Sequence, residues 1–126
     1  MPAKTATHGP SEPRALYYYD LGSAEVDVSG YPPNQKDNYR LFLVVCGACH
    51  TTARPLNSPY AQPGEWRRFV SRMHAKMEAR GVPLGQDHAR RIIEFLVYDA
   101  KIRKIEGRSP FEAQRGTLKE RFEKER

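Results

Sequence analysis

The sequence predicts a small, mainly α-helical domain, because apolar side chains recur every three or four residues in three stretches. These stretches are residues 35–46, 65–80 and 86–106. The middle stretch has the clearest apolar face, which consists of Trp66, Phe69, Val70, Met73 and Met77. Polar and charged residues occupy the other sides of that helix, so we expect one face to pack inward and the rest to meet water.

The N-terminal part of the chain is predicted to be largely irregular. Residues 1–13 contain three prolines and are expected to form a flexible arm. Residues 15–19 and 25–28 have the composition of two short extended segments, which can pair as a hairpin or lie over a cofactor. Asn34 is predicted to cap the first helix, which then runs to Cys46.

Turn-forming residues divide the rest of the chain. Residues 51–64 hold three prolines and therefore cannot form a long helix. Gly81 and Gly107 are predicted to end the second and third helices. Ser109 begins a capping-box pattern with Pro110 at the first helical position, which predicts a final charged helix. The predicted organisation is a flexible arm over 1–13, a domain over 14–106 and a C-terminal helical extension over 107–126.

Composition narrows the functional classes. The chain has 126 residues, of which 29% are charged and 39% hydrophobic, and this predicts one domain with a modest core. The longest apolar run, residues 41–46, is too short to span a membrane. Of the net charge of +6, residues 1–35 carry −2 and residues 36–126 carry +8, a distribution that favours an acidic partner. Nucleic acid is not favoured, because the basic residues are interspersed with glutamates and no nucleic-acid-binding motif is present.

The most specific chemistry lies in the stretch Cys46-Gly47-Ala48-Cys49-His50. C-x-x-C-H is the pattern at which haem c is attached. The two thiols add to the porphyrin vinyl groups, and the histidine that follows binds the iron. We therefore predict one haem c, bound covalently through Cys46 and Cys49, with His50 as the proximal iron ligand.

Three alternative roles for the two cysteines are less favoured. A structural zinc site needs four ligands, whereas this chain has two cysteines and the scattered His8, His74 and His88. A thioredoxin-like dithiol belongs in a βαβ unit, but here a helix is followed by a proline-rich loop. A structural disulfide is the third alternative, and it gives the adjacent histidine no role.

The distal iron ligand has several candidates. Met73 and Met77 lie one turn apart on the same helical face, so periodicity alone does not separate them. At least one of them must be an ordinary core residue. His74 and His88 are weaker candidates, and a vacant position that admits a gas or a substrate is a further alternative.

Two residues of the proline-containing segment 51–64 are candidates to bind a haem propionate. A buried carboxylate needs a charged or hydrogen-bonding partner, and Arg54 and Tyr60 provide such groups. The competing interpretation is a solvated arginine and a tyrosine that serves only in packing.

The residues between Cys46 and Leu96 resemble a branch of small bacterial monohaem c-type cytochromes, among them the cytochrome subunit of sulfite dehydrogenases. The matching stretches are C-G-A-C-H at 46–50, L-N-S-P-Y at 56–60, Trp66 with V-S-R-M at 70–73, and I-I-E-F-L at 92–96. The resemblance implies that Trp66 contacts the haem and that Met73 is the distal ligand, with Met77 as the alternative. It covers about 50 of the 126 residues and leaves out both ends of the chain. Asn38 stands where many such cytochromes have glycine.

Motif and resemblance together predict a non-enzymatic function. We expect one-electron transfer between redox-partner proteins, acidic proteins or other cytochromes, in the periplasm, with the leader peptide absent from this chain. The protein is expected to be a monomer or a subunit of a complex. The alternatives are the haem subunit of a larger oxidoreductase, or an enzyme or sensor with an open iron position.

Overall fold

The structure is a computed structural model that describes residues 15–48 and 51–125, and in these residues the chain is mainly helical. The five α-helices are α1 (Pro33–Cys46), α2 (Ala53–Asn57), α3 (Pro63–Ala79), α4 (Gln86–Ala100) and α5 (Arg108–Glu125). A 3-10 helix, Tyr18–Leu21, precedes them, and a π-helix, Lys101–Glu106, continues α4. The described residues contain no strand. The predicted mainly helical class is therefore confirmed.

Aromatic packing between α1 and α4 forms the centre of the core. The side chains of Phe42 and Phe95 are completely buried, and their ring centroids lie 5.3 Å apart. Tyr39 adds a third ring, 5.1 Å from that of Phe95. At the same interface the buried Asn38 accepts a hydrogen bond of 2.8 Å from Arg91 Nε. These contacts fix the position of α1 and therefore of Cys46 at its last turn.

The predicted inner face of α3 is largely confirmed. Trp66, Val70, Met73 and Met77 are buried, whereas Phe69 is partly exposed. Helix α3 ends at Ala79, and Gly81, the residue predicted to stop it, lies two positions further on. Gly81 has φ +78°, and the N–H groups of Gly81 and Val82 donate to the carbonyl oxygens of Glu78 and Met77, which forms a Schellman motif.

The predicted extended segments near the N-terminus are not found as strands. Tyr18–Leu21 is a 3-10 helix because Asp20 binds back to its own turn: its carboxylate accepts hydrogen bonds from the N–H groups of Leu16 and Tyr17. Residues 25–28 are irregular, and Val26 N–H donates to Tyr39 Oη rather than to a second strand. The hairpin prediction is therefore wrong.

Two predicted helix starts are also displaced. Helix α1 begins at Pro33, so Asn34 lies inside the first turn and is not the cap. Helix α5 begins at Arg108, and Ser109 and Pro110 likewise lie in its first turn. Proline is tolerated there because N–H groups of a first turn have no partner within the helix.

The two ends of the described chain, which lie outside the family resemblance, pack against each other. Lys119 Nζ of α5 lies 5.3 Å from the centre of the Tyr18 ring. Arg121 Nη1 donates to the carbonyl oxygen of Leu21 at 3.3 Å. The C-terminal extension therefore contacts the 3-10 helix beside the site described next. The predicted arm over 1–13 lies outside the described residues.

Candidate functional site

The described part of the C-x-x-C-H motif lies against a predicted distal ligand. Cys46 is the last residue of α1 and is 1% exposed. In its thiol form, Cys46 donates through Sγ to Met73 Sδ of α3, and the two sulfur atoms are 3.6 Å apart. Cys49 and His50, the predicted second attachment residue and proximal ligand, lie outside the described residues. The structure thus brings one end of the motif and Met73 together.

A cleft of about 270 Å³ opens beside Met73. Its lining includes Arg54 and Tyr60, the two loop residues predicted to bind a propionate, together with Tyr17 and Tyr19 of the N-terminal segment. Burial is the largest cause that raises the pKa of Tyr19 to about 12, and the neighbouring Tyr60 adds to it. Tyr19 therefore presents a neutral hydroxyl to the cleft at physiological pH.

Arg54 is held at the cleft by Asp20. Its Nε and Nη2 donate to the two carboxylate oxygens of Asp20 at 2.7 and 3.0 Å, and the Asp20 side chain is only 4% exposed. Burial opposes ionisation of Asp20, but the hydrogen bonds from Arg54 and from two backbone N–H groups outweigh it and lower the pKa of Asp20. The sequence analysis did not identify Asp20, which lies 34 residues from its partner. The ion pair therefore fixes the orientation of the Arg54 guanidinium, and the Asp20 carboxylate compensates part of its positive charge.

Trp66 presents an unsatisfied donor near the cleft. The rings of Tyr60 and Phe69 pack edge-on against it, each with centroids 5.8 Å away. Its Nε1 is buried and has no hydrogen-bond partner among the described residues. Buried donors without a partner are uncommon in proteins, and Trp66 lies behind Tyr60 and Phe69, two of the rings that line the cleft.

The other candidates for the distal position lie elsewhere. Met77 is 8% exposed, one turn further along α3, and does not line the cleft. His74 faces a separate groove between α3 and the start of α4, with its Nε2 3.8 Å from Glu78 Oε1. His88 is exposed in the first turn of α4. Of the four residues considered from the sequence, Met73 alone lines the cleft, and its Sδ lies 3.6 Å from Cys46 Sγ.

The loop that carries Tyr60 is fastened by a buried lysine that the sequence analysis did not identify. Lys104 of the π-helix is 7% exposed, and its Nζ donates to the carbonyl oxygens of Tyr60 at 2.8 Å and Pro55 at 3.2 Å. The same atom lies 3.4 Å from Ser58 Oγ and 4.9 Å from the centre of the Trp66 ring. The π-helix turns by a smaller angle per residue than an α-helix, and Lys104 is its buried residue. Lys104 therefore connects the end of α4 to the wall of the cleft.

The described residues fit a haem c in their chemistry. They provide one thiol of the attachment motif, a thioether, an unpaired indole donor and a cationic rim suited to two carboxylates. At about 270 Å³, the cleft is slightly smaller than the roughly 300–1,000 Å³ typical of small-molecule sites. Because the sulfur atoms of Cys46 and Met73 are in contact, the flexible Met73 side chain has to move for a porphyrin to enter.

Comparisons with protein-family models, with curated proteins and with solved structures found no match. Within residues 15–48 and 51–125, no three His, Cys, Asp or Glu side chains converge in an arrangement that could hold a metal ion. In the same residues, no helix is both long and apolar enough to cross a bilayer.

Proposed function

We propose that this chain is a monohaem c-type cytochrome that transfers single electrons between protein partners in the periplasm. The observation that best supports the proposal is the contact between Cys46 Sγ and Met73 Sδ, at 3.6 Å. It joins a residue of the haem-attachment motif to a residue that the family resemblance implies as an iron ligand. A haem held by both residues requires them to lie close together, and the structure brings them together across 27 positions of the chain.

On this proposal, Cys46 and Cys49 attach the haem, His50 is the proximal ligand and Met73 is the distal ligand. Haem c supplies a metal that gains and loses one electron without a change in its covalent attachment. A methionine ligand favours the reduced state and raises the reduction potential, whereas a second histidine lowers it.

The protein around the cleft has three tasks. The rings of Tyr60 and Phe69 line the cleft, pack against the buried Trp66 and limit the access of water, which also affects the potential. Arg54 offers a fixed cation to a carboxylate of the bound group. Lys104 holds the backbone of the Tyr60 loop in place.

Covalent attachment is the first test. We expect the protein, expressed in a bacterial host with a periplasmic haem-attachment system, to gain the mass of one haem under denaturing conditions. Cys46→Ala and Cys49→Ala should each yield a haem held by one thioether, and the double variant none. An intact mass equal to that of the bare polypeptide would refute the proposal.

The distal ligand is tested with a matched pair of variants. Met73→Leu and Met77→Leu both conserve volume at buried positions, so each should cost less than about 1.5 kcal/mol of stability. Only Met73→Leu should remove the weak far-red band that ferric haem shows with methionine ligation. Loss of this band in Met77→Leu alone would assign the ligand to Met77 and overturn our choice.

The alternative functions have their own readouts. Rapid binding of carbon monoxide to the reduced wild-type protein would indicate an open iron position and favour an enzyme or sensor. Gel filtration of the native protein distinguishes a free carrier from a subunit that co-elutes with a larger oxidoreductase. We expect slow or absent binding of carbon monoxide and elution as a monomer.

A further inference from the structure

Helix α3 and the residue that follows it carry a net positive charge. Residues 63–80 contain five basic and two acidic residues, a net charge of +3 out of +6 for the whole chain. Four of the basic residues are spaced four apart and are exposed; we call them the basic row. The basic row consists of Arg68, Arg72, Lys76 and Arg80.

The basic row lies beside the cleft. A spacing of four residues keeps side chains in one row along a helix, next to the row that contains Phe69 and Met73. Arg72, Lys76 and Arg80 line the cleft together with Met73. Any protein that approaches Met73 from the solvent side therefore meets these cations first.

The charge at the centre of the row is available to a partner. Among the described residues, no carboxylate lies within 4 Å of the charged groups of Arg72 or Lys76. The two acidic residues of α3 are engaged elsewhere. Glu65 accepts hydrogen bonds from the N–H groups that precede the helix, and Glu78 faces His74.

Most arginines elsewhere in the described chain have a carboxylate partner. Ion pairs of this kind are formed by Arg40, Arg54, Arg90, Arg103, Arg115 and Arg121. Their fields are largely cancelled at a distance by the neighbouring negative charge. The centre of the basic row, Arg72 and Lys76, is therefore the strongest uncompensated positive feature that borders the cleft.

A second exposed surface near the motif has a different character. On α1, Val44 is 73% exposed and its neighbours Leu41 and Val45 are partly exposed. The nearby Arg40 is paired with Asp37, so this surface carries little net charge. It offers apolar contact but nothing that selects a charged partner.

We propose that the basic row is the docking surface for an acidic protein that exchanges one electron with the haem across the cleft beside Met73. This inference rests on the proposed function and adds the chemistry and the location of the partner. Opposite charges around a site steer the encounter and orient it, whereas small interfaces keep the complex short-lived. The exposed Leu16 and Tyr17 on the opposite side of the cleft add apolar contact within the charged rim.

A charge-matched pair of double variants tests the surface. Arg72→Glu with Lys76→Glu reverses the centre of the basic row, and Lys101→Glu with Arg108→Glu makes the same change in net charge at exposed positions that do not line the cleft. Poly-L-glutamate serves as the acidic probe at low ionic strength, and fluorescence titration measures its binding. We expect the row variant to bind at least about tenfold more weakly than the control variant.

Two outcomes of the titration overturn the proposal. Equal weakening in both double variants would mean that net charge and not the basic row is responsible. Loss of binding to duplex DNA in the row variant, with binding to poly-L-glutamate intact, would assign the surface to nucleic acid.

A kinetic experiment connects the surface to electron transfer. Oxidation of the reduced holoprotein by the anion hexacyanoferrate(III) should slow at least about tenfold in the row variant relative to the control variant, and oxidation by cationic tris(phenanthroline)cobalt(III) should accelerate. Equal rates in the two variants, or a slowing produced only by Val44→Glu, would overturn the proposal while the haem function stands. If no variant carries haem, no oxidation is seen, and the poly-L-glutamate titration still tests the surface.

Discussion

Replacement of Lys104 by methionine should change how the stability of the protein depends on pH. The lysine is 7% exposed and its Nζ donates to two carbonyl oxygens of the loop beside the cleft. In the described residues no carboxylate lies within 4 Å of it. Burial is the largest cause that lowers the pKa of Lys104 from 10.5 to about 7, and the neighbouring Arg103 lowers it further.

The direction of the effect follows from proton binding. Between pH 7 and pH 10.5 the unfolded chain holds a proton on Lys104 that the folded protein has released, so the free energy of unfolding rises with pH. The cost of the buried charge is fully present below pH 7 and disappears above pH 10.5. At about 1.4 kcal/mol for each pKa unit, the full cost is roughly 5 kcal/mol, of which about 2 kcal/mol is relieved between pH 7 and pH 9.

Lys104→Met removes this cost but leaves the carbonyl oxygens of Pro55 and Tyr60 without their donor. Each buried group that loses its partner costs about 1–3 kcal/mol. Near pH 6 the two effects are similar in size, so we expect the variant and the wild type to have similar stabilities. Near pH 9 the wild type is relieved of about 2 kcal/mol of the penalty that it has at neutral pH, and the variant should be less stable than the wild type by about that much more than at neutral pH.

Urea denaturation of the wild type and the variant between about pH 6 and pH 9 measures this difference. The matched control is Lys101→Met, which removes an exposed lysine from the same π-helix. Its stability should differ from that of the wild type by a constant amount across this range. If the difference for Lys104→Met is also constant, the proton on Lys104 does not distinguish the folded from the unfolded chain, and the reasoning is refuted.

Two further predictions concern the end of α3 and the cleft. Gly81→Ala places a Cβ on a residue with φ +78° and should destabilise the protein by about 1 kcal/mol. Gly116→Ala adds a Cβ in the interior of α5, where the surrounding space is open, and should stabilise the protein by up to about 1 kcal/mol. Thermal unfolding measures both changes. Loss of stability in both variants, or in neither, would contradict the role assigned to the positive φ of Gly81. Asp20→Asn should destabilise the protein above pH 3.8, the ordinary pKa of its carboxyl, because the ion pair with Arg54 is broken. The difference in stability from the wild type should become smaller as the pH falls further and Asp20 of the wild type becomes protonated. If this difference is the same at neutral and acidic pH, the charge of Asp20 does not contribute to stability.

The elements that could be predicted from the sequence are those fixed by local pattern. The period of three and four residues located α3 and its buried face, and the glycine after it marked the end of the helix. Both features depend on residues close together in the chain. The helical course through residue 106 was predicted in the same way, although its π-helical last turn was not.

The contacts that complete the candidate site depend on residues far apart in the chain. Asp20 and Arg54 are paired across 34 positions, and Lys104 reaches Tyr60 across 44. A lysine in a charged stretch predicts an exposed side chain, whereas Lys104, in the π-helix, is buried. The spacing of apolar residues does not predict a π-helical turn, because a periodicity argument assumes the same rotation at every residue.

The choice between Met73 and Met77 as the proposed distal ligand is also beyond what local sequence patterns can decide. The two residues share a face and differ by about 6 Å along the helix axis, so any local pattern treats them alike. What separates them in the structure is their position: Met73 lines the cleft and its Sδ lies 3.6 Å from Cys46 Sγ, whereas Met77 does not line the cleft. Phe42 lies one turn before Cys46 on α1 and packs against Phe95, so the packing of α1 in the core helps to place Cys46 beside Met73. A substitution that shifted α1 by one turn would therefore be expected to change the methionine beside the motif, without altering either methionine or the motif itself.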